Sequence, residues 1–151
     1  MNEEPEDPES FTIPHHYEPR ITHETFCKLF DDHSRYENFT IVDCRSVPEY
    51  EGGHIKGSIQ WHPNEKASKV EELHKKIFKP RSIYIFHCEY SEYRGPMAWE
   101  KFRRAHVFSS NRSEPLHAFV LEGGFSKFYE LHPDYCDGTY VPEKTVARPR
   151  A

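Results

Sequence analysis

The sequence predicts an α/β domain with a central parallel sheet of about five strands and helices on both faces. Segments rich in β-branched and aromatic residues alternate with segments whose apolar residues recur at spacings of three and four, an order typical of parallel β–α units. Residues 82–87 are the strongest strand candidate and are almost entirely apolar, as a buried central strand should be. The length of 151 residues fits one domain. Loops at the carboxyl ends of such strands are where function is expected.

Three shorter strands and one extended segment are predicted around this central strand. Residues 39–44 are short and β-branched, and residues 58–61 follow a group of glycines. Residues 117–121 form a further apolar strand, which ends at a Glu-Gly-Gly turn. Residues 11–20 are aromatic and interrupted by proline, so we expect them to lie extended against the domain.

Four helices are predicted between and after these strands. Thr22 is a good N-cap for a helix over about residues 23–32, whose apolar residues share one face. Residues 65–78 carry apolar side chains at helical spacing. Gly95-Pro96 opens a helix that runs to about residue 105, with proline in the first turn, where no N–H is needed. A short helix is expected after residue 123.

The charge distribution divides the chain into a leader, a body and a tail. The net charge of −5 resides in residues 1–10, which hold five carboxylates, two prolines and no basic residue, so we expect a disordered acidic leader. Residues 11–140 form the predicted domain, and residues 141–151 a short C-terminal tail. A neutral body without a long Lys/Arg run gives no reason to expect a nucleic acid or an anionic membrane as partner. No apolar run approaches the roughly 20 residues of a membrane span.

The cysteines and histidines indicate the compartment and argue against a metal site. The four cysteines are widely spaced and form no Cys-x-x-Cys pair, which favours a reduced protein of the nucleus or the cytoplasm. The 11 histidines do not fall at zinc-motif spacing, so neither a metal nor another cofactor is expected.

The chemistry is concentrated in the loop that follows the central strand. Cys88 ends the strand, five residues follow, and Arg94 precedes the Gly-Pro helix start. The predicted phosphate-binding loop comprises Glu89, Tyr90, Ser91, Glu92, Tyr93 and Arg94. Its backbone N–H groups and the helix N-terminus can hold a tetrahedral dianion, while the guanidinium fork of Arg94 binds two of its oxygens. In that positive field we expect the Cys88 thiol to ionise at neutral pH and act as a nucleophile.

A simpler interpretation competes with this one. A cysteine and an arginine six positions apart occur by chance, and Cys88 would then be a buried structural residue beside a surface arginine. The apolar strand before the loop and the helix start after it favour the catalytic interpretation. His87 is either a group that orients the loop or a core histidine at a strand end, and Glu89 and Glu92 are either functional or merely solvated carboxylates.

Beyond the loop, the sequence resembles the M-phase inducer phosphatases, dual-specificity phosphatases built on a rhodanese-like domain. The matching segments are Ile41-Val-Asp-Cys-Arg, Glu49-Tyr-Glu-Gly-Gly-His-Ile-Lys-Gly, Ile85-Phe-His-Cys-Glu-Tyr-Ser, Arg94-Gly-Pro, Leu121-Glu-Gly-Gly-Phe-Ser-Lys-Phe-Tyr and His132-Pro-Asp-Tyr-Cys136. They span residues 41–136 in the family's order. Simple rhodaneses share several of these elements but have an active loop one residue shorter, so the longer loop favours the phosphatase branch and a rhodanese-like fold.

The resemblance implies a mechanism and a set of roles. Cys88 attacks phosphorus to form a cysteinyl-phosphate, Arg94 and the loop amides stabilise the transition state, and water hydrolyses the intermediate. Glu89 matches the family's glutamate directly after the cysteine and is the candidate acid. The family's second glutamate, just before the arginine, is replaced here by Tyr93, with Glu92 one place earlier.

Two further roles come from the resemblance. Cys44 matches the family's second cysteine, which traps the oxidised nucleophile as a disulfide, because an exposed thiolate oxidises readily and a nearby thiol prevents over-oxidation. The alternative is a small apolar residue at a strand end. Asp43 and Arg45 are expected to brace the loop, whereas Cys27 and Cys136 are assigned no catalytic role.

The expected partner is a phosphoprotein, a cyclin-dependent kinase bearing phosphotyrosine and phosphothreonine, acted on by a monomeric enzyme. The chain departs from the larger family members after Cys136, where their C-terminal helix and basic tail are replaced by residues 137–151. Two other functions stay open. An arsenate reductase could use the same loop, because arsenate is an isostere of phosphate, and a non-catalytic rhodanese-like binding module would need neither Cys88 nor Arg94.

Overall fold

The computed structural model describes residues 18–64 and 69–140. The predicted acidic leader (residues 1–10) and C-terminal tail (residues 141–151) lie outside the described residues, so the structure does not test either assignment. Within the described residues, no helix is long and apolar enough to cross a membrane.

A five-stranded parallel sheet forms the centre of the domain, as predicted. Its strands are β1 (Arg20–Ile21), β2 (Asn38–Asp43), β4 (Ile59–Gln60), β5 (Ser82–His87) and β6 (His117–Leu121). They lie in the order β1-β6-β5-β2-β4, and every neighbouring pair is parallel. The central strand β5 is buried at all six positions, which explains its nearly continuous apolar sequence.

Successive residues of β5 point into two separate cores, one on each face of the sheet. Ile83 and Ile85 pack into a core covered by α1 (His23–Asp31) and α5 (Gly124–Leu131). Tyr84 and Phe86 pack into the other core, covered by α3 (Val70–Ile77) and α4 (Arg94–Val107). This alternation follows from the two-residue period of a strand and confirms helices on both faces.

Helices α1, α4 and α5 begin within one residue of their predicted positions, whereas α3 does not. Thr22 caps α1 by accepting a hydrogen bond from the N–H of Thr25 at 3.1 Å, as expected for a threonine N-cap. Helix α4 begins at Arg94, one residue before the predicted Gly-Pro start. Helix α3 begins at Val70 rather than at residue 65; residues 65–68 are outside the described residues, and Lys69 is the N-cap.

Four short elements were not predicted. Helix α2 (Val47–Gly52) follows directly on Arg45-Ser46, and strand β3 (Gly53–Ile55) pairs antiparallel with β7 (Cys136–Gly138) in a separate two-stranded sheet. A turn of 3-10 helix, Pro133–Tyr135, leads into β7. These elements lie beside the carboxyl end of the main sheet, and they bring two unpredicted side chains to the candidate site.

Candidate active site

The candidate site lies at the carboxyl ends of β2 and β5. These strands are paired in register from Asn38 opposite Ser82 to Asp43 opposite His87. The pairing extends one residue further, because the N–H of Cys44 donates to the carbonyl of His87 at 2.7 Å. Cys44 and Cys88 therefore leave the sheet side by side, and paired positions on neighbouring strands are roughly 5 Å apart.

The sulfur of Cys88 is enclosed by the start of α4. The N–H of Gly95 donates to Cys88 Sγ at 3.0 Å, which places a helix N-terminal donor on the atom expected to carry negative charge. A Cβ at position 95 would lie 3.3 Å from the backbone nitrogen of Cys88, so only glycine allows this approach without displacement. The Cys88 side chain is 0% exposed, so the expectation of an exposed thiolate is wrong. The close packing of the helix start against the loop is the physical reason.

Arg94 is held by the carboxylate of Glu49, which was not predicted as a site residue. Its Nη1 donates to Glu49 Oε1 at 2.7 Å, and its Nη2 to Glu49 Oε2 at 3.3 Å. The Nε of Arg94 is buried and has no hydrogen-bond partner among the described residues. Glu49 therefore engages the two terminal nitrogens of Arg94 and leaves the Nε edge of the guanidinium available to a ligand.

Glu49 is fixed by the N-terminus of α2. Its Oε1 accepts from the N–H of Ser46 at 2.8 Å, and the Ser46 hydroxyl accepts from the N–H of Glu49, which completes a capping box. Burial alone would raise the pKa of Glu49, but the hydrogen bonds from Arg94 and Ser46 outweigh it and lower the pKa to about 2. The spacing Ser46-x-x-Glu49 is the signal that could have predicted both this helix and this carboxylate.

Glu89 is braced by Arg45, as predicted for Arg45 and Asp43. Arg45 is almost fully buried and donates to both oxygens of Asp43, to the carbonyl of Gly53 and, at 3.3 Å, to Glu89 Oε1. Its guanidinium also lies 4.3 Å from the centre of the Phe125 ring. The Arg45 guanidinium thus connects Asp43, at the end of β2, to Glu89, the first residue of the loop.

The second oxygen of Glu89 accepts a hydrogen bond from the hydroxyl of Tyr140. Tyr140 follows β7 and packs its ring edge-on against Phe125. Burial raises the pKa of Glu89, and Arg45 opposes that effect only in part. Glu89 is therefore better able to hold a proton than a solvated carboxylate, although no local pattern in the sequence links it to Tyr140.

The start of α5 supports the loop from the outside. The N–H of Phe125 donates to the carbonyl of Cys88 at 2.9 Å, and the N–H of Ser126 to the carbonyl of Glu89 at 3.0 Å. Gly124 has a φ of +67°, and a Cβ there would lie 2.5 Å from the backbone carbonyl oxygen of Glu89. Both its backbone conformation and its contact with the loop require glycine.

The other predicted loop residues differ in exposure. Ser91 is fully buried with a φ of 55°, whereas Glu92 and Tyr93 are exposed and Tyr90 is half-buried. The structure brings Cys88, Glu89, Ser91 and Arg94 into one packed unit and leaves Glu92 and Tyr93 at its surface.

His87 was predicted to be either a core histidine or a group that orients the loop, and it is both. Its ring is buried, and Nδ1 lies 3.0 Å from the carbonyl oxygen of Cys88. Burial lowers the pKa of His87, which favours the neutral ring that can donate to that carbonyl. His87 is thus a core histidine that also contacts the loop backbone.

Cys44 is a buried thiol beside the nucleophile candidate. Burial and the neighbouring Cys88 raise the pKa of Cys44 well above its usual value of 9.0. Cys44 and Cys88 are both free thiols in the structure. In residues 18–64 and 69–140 no group of three or more His, Cys, Asp or Glu side chains is arranged to hold a metal ion.

Sequence comparison identifies the type of domain. Residues 27–131 match the family described as "Rhodanese-like domain". The chain is 38% identical over 108 residues to M-phase inducer phosphatase 2 of Mus musculus, covering 67% of this chain and 18% of the relative. It is 34% identical over 130 residues to the M-phase inducer phosphatase of Schizosaccharomyces pombe, covering 82% of this chain and 22% of the relative. The chain thus spans about a fifth of the length of these relatives.

Solved structures share the fold at low sequence identity. A yeast protein tyrosine phosphatase of the Rhodanese family superposes with a TM-score of 0.68 at 24% identity, covering 82% of this chain and 93% of that one. An As-Sb reductase from Leishmania major superposes with a TM-score of 0.62 at 24% identity, covering 83% of this chain and 89% of that one. These similarities establish the fold and do not distinguish between the two activities.

Proposed function

This chain belongs to the rhodanese-like domain family, and from that premise we propose that it is a cysteine-dependent protein phosphatase acting on phosphotyrosine and phosphothreonine. The observation that carries the proposal is the loop from Cys88 to Arg94, closed by the Gly95 N–H on the sulfur and by the guanidinium that Glu49 holds. The identity to M-phase inducer phosphatases over the catalytic segment supports the phosphatase branch.

The proposed reaction has two displacement steps at phosphorus. The Cys88 thiolate forms an S–P bond as the bond from phosphorus to the substrate oxygen breaks, and the leaving oxygen takes up a proton. Water then attacks the cysteinyl-phosphate, which releases inorganic phosphate and restores the thiolate. Arg94 stabilises the charge on the transferred group in both steps, because its Nε edge is not engaged by Glu49.

Glu89 is the candidate proton donor for the leaving oxygen. Its raised pKa, caused first by burial, supports a protonated form closer to neutral pH than that of a solvated glutamate. Glu92 lies at the surface of the loop and is the weaker candidate.

We propose a cyclin-dependent kinase as the substrate, acted on by a monomer in the nucleus or the cytoplasm. The relatives' name supports a role in M-phase induction, which is the basis for the kinase assignment. The proposed redox role of Cys44 is supported by the strand register that sets it beside Cys88.

Paired kinetics test the activity. The full chain is assayed on one kinase-derived peptide carrying phosphothreonine, phosphotyrosine or both, with release of inorganic phosphate as the readout. We expect hydrolysis at both residues, with a preference below about 10³-fold, because the resemblance to M-phase inducer phosphatases implies dual specificity. A larger preference for either residue would reject dual specificity, and no release from any peptide would reject the phosphatase.

Arsenate reduction is the competing activity, tested in parallel with arsenate and glutathione as the electron donor. Reduction of arsenate to arsenite consumes two thiols and yields one disulfide, so disulfide formation is the readout. We expect little, because the sequence identity over the loop and its flanking elements is to M-phase inducer phosphatases. Arsenite formation without phosphopeptide hydrolysis would favour the reductase. The absence of both activities would favour a binding module.

A further inference from the structure

A buried arginine on strand β1 contacts the backbone of the phosphate-binding loop. Arg20 is 2% exposed, and its Nη2 donates to the carbonyl of Ser91 at 2.8 Å across 71 positions of sequence. Arg20 lies opposite Val120 in the register of β1 and β6, so the sheet fixes its backbone. An arginine on an edge strand of two residues was not singled out by any pattern in the sequence.

Arg20 is held by two carboxylates from different parts of the chain. Its Nε and Nη2 both donate to Glu18 Oε2, at 3.1 and 2.7 Å, and its Nη1 donates to Glu122 Oε1 at 2.9 Å. Burying a cation is unfavourable unless it is paired and hydrogen-bonded, and this arrangement meets both conditions. The guanidinium is therefore rigid, and the Ser91 carbonyl meets a fixed donor.

Three carbonyl groups of the loop are bonded to groups outside it. The carbonyls of Cys88 and Glu89 accept from the first turn of α5, and that of Ser91 accepts from Arg20. In a planar trans peptide the N–H of the next residue points opposite to the carbonyl. The N–H groups of Glu89, Tyr90 and Glu92 are consequently directed away from α5 and Arg20.

Ser91 needs such an anchor because of its backbone conformation. Its φ of 55° lies in the left-handed region, which is uncommon for residues other than glycine. Its hydroxyl is buried and has no hydrogen-bond partner among the described residues, so the side chain does not stabilise the turn there. The contact from Arg20 to the Ser91 carbonyl fixes the orientation of the peptide between Ser91 and Glu92.

We propose that Arg20 is a positioning residue for oxyanion binding. It holds the Ser91 carbonyl pointing away from Cys88 and so directs the Glu92 N–H toward an oxyanion bound at Cys88. This rests on the proposed function only in that the loop binds a tetrahedral oxyanion. Arg20 acts through the loop backbone, because its Nη2 donates to the Ser91 carbonyl and its guanidinium also donates to Glu18 and Glu122. The Glu92 N–H, which Arg20 orients, donates to the oxyanion.

The probe is tungstate, a tetrahedral dianion that undergoes no turnover. The double variant Glu18→Gln/Arg20→Met removes the guanidinium without leaving Glu18 as a buried unpaired charge, and replacing a buried ion pair by apolar groups is often tolerated. The matched control is Glu18→Gln alone, which keeps Arg20 and its bond to Ser91. Binding is measured by titration calorimetry, and individual amides are followed in ¹⁵N–¹H spectra of the full chain.

We expect the double variant to bind tungstate about tenfold more weakly than Glu18→Gln, because a charge-assisted hydrogen bond from one amide is misaligned. In the control the Glu92 amide resonance shifts on titration, and in the double variant that shift is lost. Affinities within twofold of each other would overturn the proposal.

A measurement on the unaltered chain keeps the test decisive if the double variant fails to fold. The Glu92 amide must shift when the chain is saturated with tungstate, and an unmoved Glu92 resonance would overturn the proposal. If the double variant binds tungstate more weakly than Glu18→Gln while the unaltered chain hydrolyses no phosphopeptide, the role of Arg20 is supported and the proposed phosphatase is rejected.

Discussion

Arg94 donates its two terminal nitrogens to the two oxygens of Glu49, at 2.7 and 3.3 Å. Glu49 is itself fixed by the backbone N–H of Ser46 at the start of α2. The guanidinium is thus oriented before any phosphate arrives, and the entropy of fixing a long side chain is not lost at the moment of binding. Helix α2 carries no buried side chain, so polar contacts such as this one help to hold it beside the loop.

The pH dependence of stability should report this ion pair. The folded-state pKa of Glu49 is about 2, below its usual value of 4.5, so its stabilisation is present above pH 4.5 and is lost as the pH falls toward 2. Glu49→Gln keeps an oxygen for Ser46 but removes the charge. We expect it to lower the free energy of unfolding by about 1–2 kcal/mol at pH 6, after allowance for solvent screening.

Urea unfolding of both proteins at pH 6, 4.5 and 3 measures the effect, and the difference should shrink at each step down. The matched control is Glu37→Gln, which removes an exposed carboxylate paired with Arg81 and should change stability little at any pH. A difference for Glu49→Gln that does not vary with pH would contradict the assignment.

Cys88→Ser should abolish turnover and leave the fold intact. The hydroxyl is slightly smaller than the thiol and can still accept from Gly95, but it does not ionise near neutral pH. Phosphate release and the near-ultraviolet circular dichroism spectrum are measured together. Cys136→Ser serves as the control and should retain activity. More than about a percent of wild-type activity in Cys88→Ser would exclude Cys88 as the nucleophile.

Arg94→Lys should lower the rate on an aryl phosphate by at least a hundredfold. The Arg94 guanidinium can bind Glu49 through its two terminal nitrogens and phosphate through its Nε edge. The lysine ammonium has no second edge, so it can pair with Glu49 or with phosphate but does not hold both in this geometry. The control Arg81→Lys changes an exposed arginine in the same way and should leave the rate unaltered. A rate within threefold of wild type for Arg94→Lys would show that Arg94 does not bind the transferred phosphate.

Mild peroxide should abolish the proposed phosphatase activity, and a thiol reductant should restore it. The Cys88 thiolate is oxidised to a sulfenic acid, which the Cys44 thiolate attacks to form a disulfide with loss of hydroxide. Because burial raises the pKa of Cys44, the attacking thiolate is scarce at pH 7, and the disulfide should form faster at pH 9. Mass spectrometry of rapidly alkylated samples measures its formation.

Cys44→Ser should keep nearly the full basal rate, because a serine hydroxyl can donate to the Val42 carbonyl as the thiol does. Its peroxide damage should become irreversible as the sulfenic acid is oxidised further. If Cys44→Ser recovered as completely as wild type, Cys44 would be a packing residue at a strand end.

The central elements could be predicted because their signals are local. The apolar run of β5, the N-cap Thr22 and the Gly-Pro start of α4 each lie within a few residues of the structure they specify. The same holds for the position of the loop from Cys88 to Arg94, since Cys88 directly follows β5 and Arg94 begins α4. Phosphate binding by this loop stays a prediction.

The missed features depend on contacts between distant parts of the chain. Glu49 meets Arg94 across 45 positions, Tyr140 meets Glu89 across 51, and Arg20 meets Ser91 across 71. Strand β3 is defined only by its partner β7, so a three-residue segment gives no periodicity from which to predict it. The burial of Cys88 likewise follows from the approach of Gly95 and not from the residues around the cysteine.

The hydrogen bond from Tyr140 to Glu89 has a consequence for the design of expression fragments. The family match ends at residue 131, before β7 and before Tyr140. A truncation at that boundary would remove the antiparallel partner of β3 and the hydroxyl donor to Glu89 together. The smallest recombinant piece that retains the described site therefore extends through residue 140.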